Sequence, residues 1–128
     1  MKALNPAGLH PPFAAYSHGI ACGCLLVTSG QLGVTREGGI PEGAAAQARL
    51  IFEAIDALLA EGDMTRANVL RLNAYVTGRE HMQGYMAARD DWSAGLDPLP
   101  ASTLVIVSGF TRPEFVVEVE ALARRDNT

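Results

Sequence analysis

The sequence predicts an α+β fold in which two helices pack on one face of a mixed β-sheet. Two segments repeat apolar residues every three or four positions, which is the period of a helix with one buried face. Other segments alternate apolar and polar residues, or are short and continuously apolar, as strands are. Because the predicted order is β-α-β-α-β-β, at least one pair of strands is expected to be parallel. The other face of the sheet then needs a cover from outside this single domain, residues 1–128.

The first half of the chain is expected to contain one strand and one long helix. Residues 20–31 are apolar, carry β-forming side chains and end at Gly30 and Gln31, so they predict a strand followed by a loop. Residues 43–61 predict an amphipathic helix that stops at Gly62. The apolar positions of this helix are Ala44, Ala48, Ile51, Ile55 and Leu58.

The second half is expected to contain a second helix between strands. Residues 68–77 alternate apolar and polar side chains, as a half-buried strand does. Thr77 and Glu80 have the spacing of a capping box, which predicts the start of a helix. Residues 102–108 predict a buried strand. The apolar stripe of the second helix, which Arg89 interrupts, consists of Met82, Tyr85, Met86 and Trp92.

The composition is that of a small acidic protein and excludes several partners. Ten basic and fourteen acidic side chains leave a net charge of −4, and the cations are scattered singly, so no nucleic acid is expected. No apolar run approaches the roughly 20 residues of a membrane span, and no leader pattern precedes the domain, so we expect no membrane partner and a cytoplasmic location. Cys22 and Cys24 are expected to share one face of a strand and to pack in the core or an interface.

The last predicted strand, residues 115–123, carries two carboxylates. The period of two places Glu118 and Glu120 on the same face, between apolar neighbours. Burying such a pair is expensive unless the carboxylates have partners or take up a proton. One of them is therefore a candidate for orienting a water molecule or acting as a general base. The alternative is a solvent-facing or salt-bridged pair on an edge strand.

Small polar residues near the first strand are further candidates. Ser29 and Gly30 end the strand, so a ligand could approach the backbone there, although a turn glycine with a capping serine explains the same pattern. Tyr16 and His18 place a phenol and an imidazole just before the strand, where a lone histidine is commonly only solvated. Nucleotide, phosphate and metal-binding motifs are absent, so neither a cofactor nor a metal is expected.

From residue 5 to residue 125 the sequence resembles the RidA family, also called YjgF/YER057c/UK114. The most specific matches are Ser-Gly-Gln at residues 29–31 and Val-Glu-Val-Glu-Ala at residues 117–121, with two helices between them. The resemblance implies the chorismate-mutase-like α+β fold and a homotrimer whose sheets form an inner barrel. It also implies small-molecule sites in the clefts between subunits. Such an assembly would cover the open face of the sheet.

Members of that family hydrolyse reactive enamines and imines, such as 2-aminoacrylate, to 2-keto acids and ammonia. The resemblance implies that Glu118 orients the attacking water, that Ser29 and Gly30 line the pocket and that Tyr16 closes it. Water held by Glu118 would attack the imine carbon while fixed polar groups keep the substrate in line.

Two positions depart from the family pattern. The active deaminases carry an arginine after Pro-Ala that grips the substrate carboxylate, and this chain has Ser102 there. A serine hydroxyl does not replace that charge, which leaves open whether Arg71, Arg89 or Arg112 enters the cleft from a neighbouring subunit. Tyr85 stands where many members have asparagine, and both Ser102 and Tyr85 are expected to line the pocket. A substrate without a carboxylate suits such a pocket better.

The leading hypothesis is a homotrimeric hydrolase or deaminase of a small enamine, imine or related nitrogen-containing metabolite. The alternative is a non-catalytic, chaperone-like trimer that binds a small metabolite or partner in the same clefts. Ser102 favours this alternative, and Glu118 argues against it. A third hypothesis, an endoribonuclease activity ascribed to some relatives, is disfavoured because the sequence predicts no basic groove.

Overall fold

The computed structural model describes residues 1–126 and contains one seven-stranded mixed sheet with two helices on one face. The sheet order is β1-β2-β3-β7-β5-β6, and β4 also pairs with β7. β5 and β6 form a parallel pair joined by α2, and the other pairs are antiparallel. The predicted fold class is therefore confirmed. The elements are β1 (Lys2–Leu4), β2 (Gly19–Cys22), β3 (Leu25–Thr28), β4 (Gln31–Leu32), α1 (Ala44–Glu61), β5 (Val69–Val76), α2 (Met82–Ser93), β6 (Ala101–Ile106) and β7 (Val117–Arg124).

The core lies between the two helices and one face of the sheet. Alternate residues of β7 are buried under the helices and the others face the opposite side, as the period of a strand requires. Phe52 of α1 stacks on Trp92 of α2, with ring centroids 4.9 Å apart. Burying each large apolar side chain in this layer contributes about 1.5–3 kcal/mol, so helix packing is the main source of stability.

A polar clamp fixes α1 to the end of α2. Asp56 accepts hydrogen bonds from the indole nitrogen of Trp92 (2.8 Å) and from Nη2 of Arg66 (2.9 Å). Nη1 of Arg66 donates to the Trp92 carbonyl (2.9 Å), and its guanidinium lies 5.6 Å from the indole ring centroid. Charge, hydrogen bonds and stacking therefore all act on the same three residues.

Residues 20–31 form a hairpin rather than the single predicted strand. The backbone turns at Gly23, whose φ of 58° lies in the left-handed region that strands do not adopt. β2 and β3 flank this turn, and the short β4 follows. Consequently Cys22 is exposed and Cys24 is only partly buried, so neither cysteine packs in the core of the single chain, and packing in an interface stays a prediction.

The predicted capping box before the second helix does not form. α2 begins at Met82 after a single 3₁₀ turn, Arg79–His81, whose N-terminal residue Gly78 has no side chain to cap it. A capping box forms instead at Thr65 and Asn68, which start another 3₁₀ turn between α1 and β5. Local spacing alone therefore pointed to the wrong helix start.

The strand predicted as buried at residues 102–108 is the edge strand β6. Five of its six residues are exposed, and it pairs only with β5 in the part of the chain that the structure describes. An apolar composition is compatible with either an edge strand or a buried strand, because composition does not show whether a neighbouring strand is present. β6 therefore offers unpaired backbone groups at the end of the sheet.

The face of the sheet opposite the helices is open in the single chain. Apolar side chains on it remain well exposed, including Leu25 (44%), Val27 (45%) and Val105 (41%). Within residues 1–126, no helix is both long enough and apolar enough to span a membrane. This open face also carries the two neighbouring carboxylates, Glu118 and Glu120.

Candidate functional site

The sheet separates the predicted site residues into two clusters on opposite faces. Glu118 lies directly opposite Tyr75 of β5, on the open face. Ser102 lies opposite the buried Leu72, on the face that the helices cover. We call the first set (Asn73, Tyr75, Glu118 and Glu120) the carboxylate cluster. The second set (Tyr85, Arg89 and Ser102) we call the arginine cluster.

Gly30 packs directly on the carboxyl group of Glu118. A Cβ atom added at Gly30 would lie 2.7 Å from Oε1 of Glu118, closer than any side chain tolerates. A side chain at position 30 would therefore displace the Glu118 carboxyl group, so glycine is what allows this close approach. The predicted proximity of Gly30 and Glu118 is present in the structure.

Glu120 is held by two donors from the neighbouring strand. The hydroxyl of Tyr75 donates to Oε1 of Glu120 at 2.6 Å, and Nδ2 of Asn73 donates to the same oxygen at 3.3 Å. Glu118, two residues away on the same face, makes no hydrogen bond or ion pair to any of the residues that the structure describes. One carboxylate is therefore fixed and the other is free to meet a ligand.

The environment favours a proton on Glu118. Burial, and then the nearby charge of Glu120, raise the pKa of Glu118 above its usual value. The pKa of Tyr75 is also raised, first by its hydrogen bond to Glu120 and then by burial. Tyr75 therefore remains a hydrogen-bond donor to Glu120.

The loop between β1 and β2 carries Tyr16 next to Gly30. Tyr16 is 40% exposed, and its hydroxyl accepts a hydrogen bond from the backbone N–H of Phe13 at 3.2 Å. The hydroxyl of Ser29 donates to the Ser17 carbonyl at 2.7 Å. The Ser29 hydroxyl therefore fixes this loop in place. Its bond to Ser17 positions the adjacent Tyr16 over the start of β4.

His18 is a buried part of the same loop anchor and not a solvated histidine. Its Nε2 donates to the His10 carbonyl at 2.6 Å, and its backbone N–H donates to Oδ1 of Asn5 at 2.9 Å. Gln31 reaches the loop from β4, where its side-chain amide donates to the His18 carbonyl at 3.5 Å and also to the Ser29 carbonyl at 3.2 Å. Tyr16, His18, Gly30 and Gln31 border a cavity of about 20 Å³, which is room for one water molecule.

The arginine cluster lies where α2 crosses the edge strand. Nη1 of Arg89 donates to Oγ of Ser102 at 3.4 Å, and the guanidinium carbon lies 5.8 Å from the ring centroid of Tyr85. The remaining donors, Nε and Nη2, both reach Oδ1 of Asp90, at 3.1 and 3.0 Å, in an ion pair whose Asp90 side chain is 68% exposed. A positive charge therefore stands beside Ser102 in the same chain.

Tyr85 is fully buried in the core of the single chain. Its ring stacks near Phe52 with a centroid separation of 6.2 Å, so the ring does not line an open pocket. Its buried hydroxyl faces Ser102 and Arg89, and no group among the described residues meets the distance and angle of a full hydrogen bond to it. Burial is the main reason that the pKa of Tyr85 is raised, and the charge of Arg89 opposes this effect.

The structure brings Tyr16, Ser29, Gly30 and Glu118 together and leaves Ser102 and Tyr85 apart from them. Sequence patterns placed Asn73 and Tyr75 on one strand face but did not reveal their contact with Glu120, since that contact depends on strand register. Arg89 was visible as a charge in an apolar helical stripe. The described residues contain no group of three or more His, Cys, Asp or Glu side chains suited to a metal ion.

These features define a small α+β protein with carboxylates on a sheet face that is open in the single chain. The family described as Endoribonuclease L-PSP matches residues 8–125. The chain therefore belongs to this family, and its resemblance to the RidA/YjgF proteins is confirmed.

Individual relatives agree with this assignment. The RutC family protein YjgH of Escherichia coli (strain K12) is 32% identical over 123 residues, which make up 93% of this chain and 92% of YjgH. The crystal structure of the E. coli YjgF gene product has a TM-score of 0.91 and 22% identity, covering 98% of this chain and 100% of that one. E. coli TdcF with bound serine has a TM-score of 0.92 and 21% identity, with the same coverage. At these identities, the solved structures show the fold alone.

Proposed function

We propose that the protein hydrolyses a small enamine or imine to a carbonyl compound and ammonia, with Glu118 orienting the attacking water. The observation that carries this proposal is the free, partly buried carboxyl group of Glu118 against Gly30. In hydrolysis the water oxygen bonds to the imine carbon, the nitrogen gains a proton, and the carbon–nitrogen bond then breaks to release ammonia. A positioned carboxylate that accepts the proton of the water typically contributes 10²–10⁴-fold to such a step.

We further propose that the complete site forms between copies of this chain in a homotrimer. The carboxylate and arginine clusters lie on opposite faces of the sheet, so one substrate does not reach both within one chain. The exposed apolar residues of the open face and the unpaired edge of β6 both favour contact with another copy. Stacking the sheets around an axis would place the open face of one copy next to the edge of another.

Arg89 supplies the cation that Ser102 does not. Its guanidinium is oriented by the Tyr85 ring and by Ser102, and a ligand carboxylate would displace or join the exposed Asp90. The solved structure of TdcF, which shares the fold, holds serine, a small molecule with a carboxylate. A substrate with a carboxylate is therefore compatible with this chain, in contrast to what the serine at position 102 suggests when considered alone.

The test is a coupled assay in which a dehydratase generates 2-aminoacrylate from serine. The wild-type protein should speed the appearance of the 2-keto acid over the spontaneous rate, and Glu118→Gln should remove about 10²–10⁴-fold of this acceleration. Glu114→Gln, an exposed glutamate paired with Arg112, serves as the matched control and should leave the rate unchanged.

Two outcomes would contradict the proposal. If neither the wild type nor Ser102→Arg accelerates hydrolysis, the protein does not act on such enamines. If the wild type binds the 2-keto acid product in calorimetry but Glu118→Gln does so equally well without any turnover by either protein, the non-catalytic alternative is correct.

A further inference from the structure

The two glutamates of the carboxylate cluster are neighbours with unequal surroundings. Their Cβ atoms, two positions apart on one strand face, are about 7 Å from each other. Glu120 accepts the Tyr75 hydroxyl at 2.6 Å and the Asn73 amide, whereas Glu118 has neither a donor nor a cation among the described residues. Two carboxylates in unlike environments are the arrangement by which a protein assigns one as acid and one as anion.

We propose that Glu118 first acts as a proton donor to the carbon of an enamine, and that Glu120, fixed by Tyr75 and Asn73, is the positioning residue that keeps this proton on Glu118. This inference rests on the proposed hydrolase function and names the form in which the substrate enters, as an enamine and not as a preformed imine. Glu118 then serves as acid in one step and as base in the next.

The chemistry of the two steps balances. Protonated Glu118 gives its proton to the β-carbon of the enamine, and the enamine double bond shifts to form a carbon–nitrogen double bond with a positive nitrogen. Water then bonds to the imine carbon, and the Glu118 carboxylate takes the proton that the water loses. The resulting carbinolamine transfers its hydroxyl proton to nitrogen and releases ammonia, so Glu118 ends as it began.

Within one chain, the groups around Glu118 agree with its role as the protonated member of the pair, and Arg89 of a neighbouring copy is assigned above to the substrate carboxylate and not to Glu118. From β5 it faces Tyr75, whose hydroxyl is committed to Glu120, and from β4 it faces the apolar Leu32. Arg71 is on the same face of β5 but four positions beyond Tyr75, about 13 Å along the strand, and therefore nearer to Glu120. The like charge of Glu120 and partial burial together raise the pKa of Glu118.

The decisive experiment is the hydrolysis of 2-aminocrotonate in D₂O. A threonine dehydratase supplies the enamine, lactate dehydrogenase traps the keto acid as 2-hydroxybutyrate, and NMR measures the configuration of deuterium at C3. Proton transfer from Glu118 in a fixed site should give one diastereomer in large excess. The dehydratase alone, without this protein, provides the background, and solvent protonation gives equal amounts of both.

The outcomes distinguish this inference from the proposed function. Accelerated hydrolysis with equal diastereomers overturns proton donation by Glu118 but leaves imine hydrolysis intact. A lack of any acceleration overturns the hydrolase function itself, and proton donation with it.

A carboxyl-carbon NMR titration tests the pairing without any assay of activity. Glu120→Gln should lower the pKa of Glu118, because the neighbouring charge is removed, and Tyr75→Phe should let Glu120 compete for the proton. In the assay, each variant should lose about tenfold of the neutral-pH rate, and Glu114→Gln should lose none. If Glu118 titrates in Glu120→Gln and in Tyr75→Phe as it does in the wild type, the role of Glu120 is overturned.

Discussion

The polar clamp between the helices and the carboxylate cluster on the sheet show two ways of using an acidic side chain. Asp56 receives hydrogen bonds from Trp92 and Arg66, and its charge is balanced by the guanidinium. Glu118 receives none from the described residues and has a like charge as its neighbour. The first arrangement stabilises the fold, whereas the second costs stability and leaves an uncommitted carboxyl group. A polar side chain without partners among the described residues, such as Glu118, is therefore a better candidate for function than one with partners, such as Asp56.

The arginine cluster extends the same contrast to the helix side of the sheet. Arg66 and Arg89 each donate three hydrogen bonds, but the carboxylate partner of Arg89, Asp90, is 68% exposed, whereas that of Arg66, Asp56, is 34% exposed. The carboxylate and arginine clusters thus each contain a charged group without a partly buried partner of opposite charge in the described part of the chain, whereas the clamp does not. We regard them as two halves of one site, contributed by different copies of the chain.

The largest expected effect comes from inactivating each half in a different chain. Homotrimers of Glu118→Gln, and homotrimers of Arg89→Gln assayed at low substrate concentration, should be nearly inactive. Trimers reassembled from an equal mixture should recover about one quarter of the wild-type rate, because that fraction of interfaces unites two intact halves. The mixture is prepared by co-refolding and assayed by keto-acid formation. Recovery no greater than the mean of the two parents would place both clusters in separate sites.

A second prediction concerns the contact between Gly30 and Glu118. Gly30→Ala should lower kcat about 100-fold, because the added methyl group displaces the carboxyl group by an ångström or more. Gly8→Ala is the matched control, since a Cβ atom there meets nothing within 4 Å. Both variants are compared by coupled assay and circular dichroism. Retention of activity by Gly30→Ala would show that the position of Glu118 is unimportant.

A third prediction contrasts the two tyrosines. Tyr85→Phe should raise the free energy of unfolding by about 1 kcal/mol, because it removes a buried hydroxyl without a partner. Tyr75→Phe should lower it by about 1 kcal/mol, because it removes a satisfied hydrogen bond to a charged group. Urea unfolding at one fixed protein concentration measures both changes. Changes of the same sign would mean that Tyr85 finds a partner in solution.

The smallest expected effect is the pH dependence that Glu118 gives to stability. Its pKa is raised on folding, so the protonated group favours the folded state at low pH, and this contribution is lost as the pH rises through the folded-state pKa. Glu118→Gln should therefore be more stable than the wild type at pH about 8 and equal to it below pH about 4. Thermal unfolding across this range tests the sign. Greater wild-type stability at neutral pH would contradict the raised pKa.

Periodicity was sufficient to predict α1 and most of β5, although a bulge between Val69 and Arg71 leaves Leu70, predicted on the buried face, exposed. It failed at β6, because apolar residues on an edge awaiting a partner have the same composition as residues in a buried strand. It also failed at Thr77 and Glu80, where a glycine and a 3₁₀ turn precede the helix.

The candidate site was only partly predictable for a related reason. Resemblance and alternation together selected Glu118 as the candidate, and the structure places Gly30 beside it. The link from Tyr75 to Glu120 depends on register, and the approach of Arg89 to Ser102 depends on how α2 crosses the sheet. Neither quantity is encoded in local spacing.

Because the edge of β6 is unpaired, what a newly synthesised chain associates with depends on the concentration of other copies. A single chain presents free backbone donors and acceptors next to exposed valine and isoleucine side chains, which can pair with another copy or with unrelated strands. Productive encounter and aggregation therefore compete, and their balance is set by the rate of synthesis and by dilution. If the active site forms between copies as proposed, activity per chain should rise steeply with protein concentration and then level off.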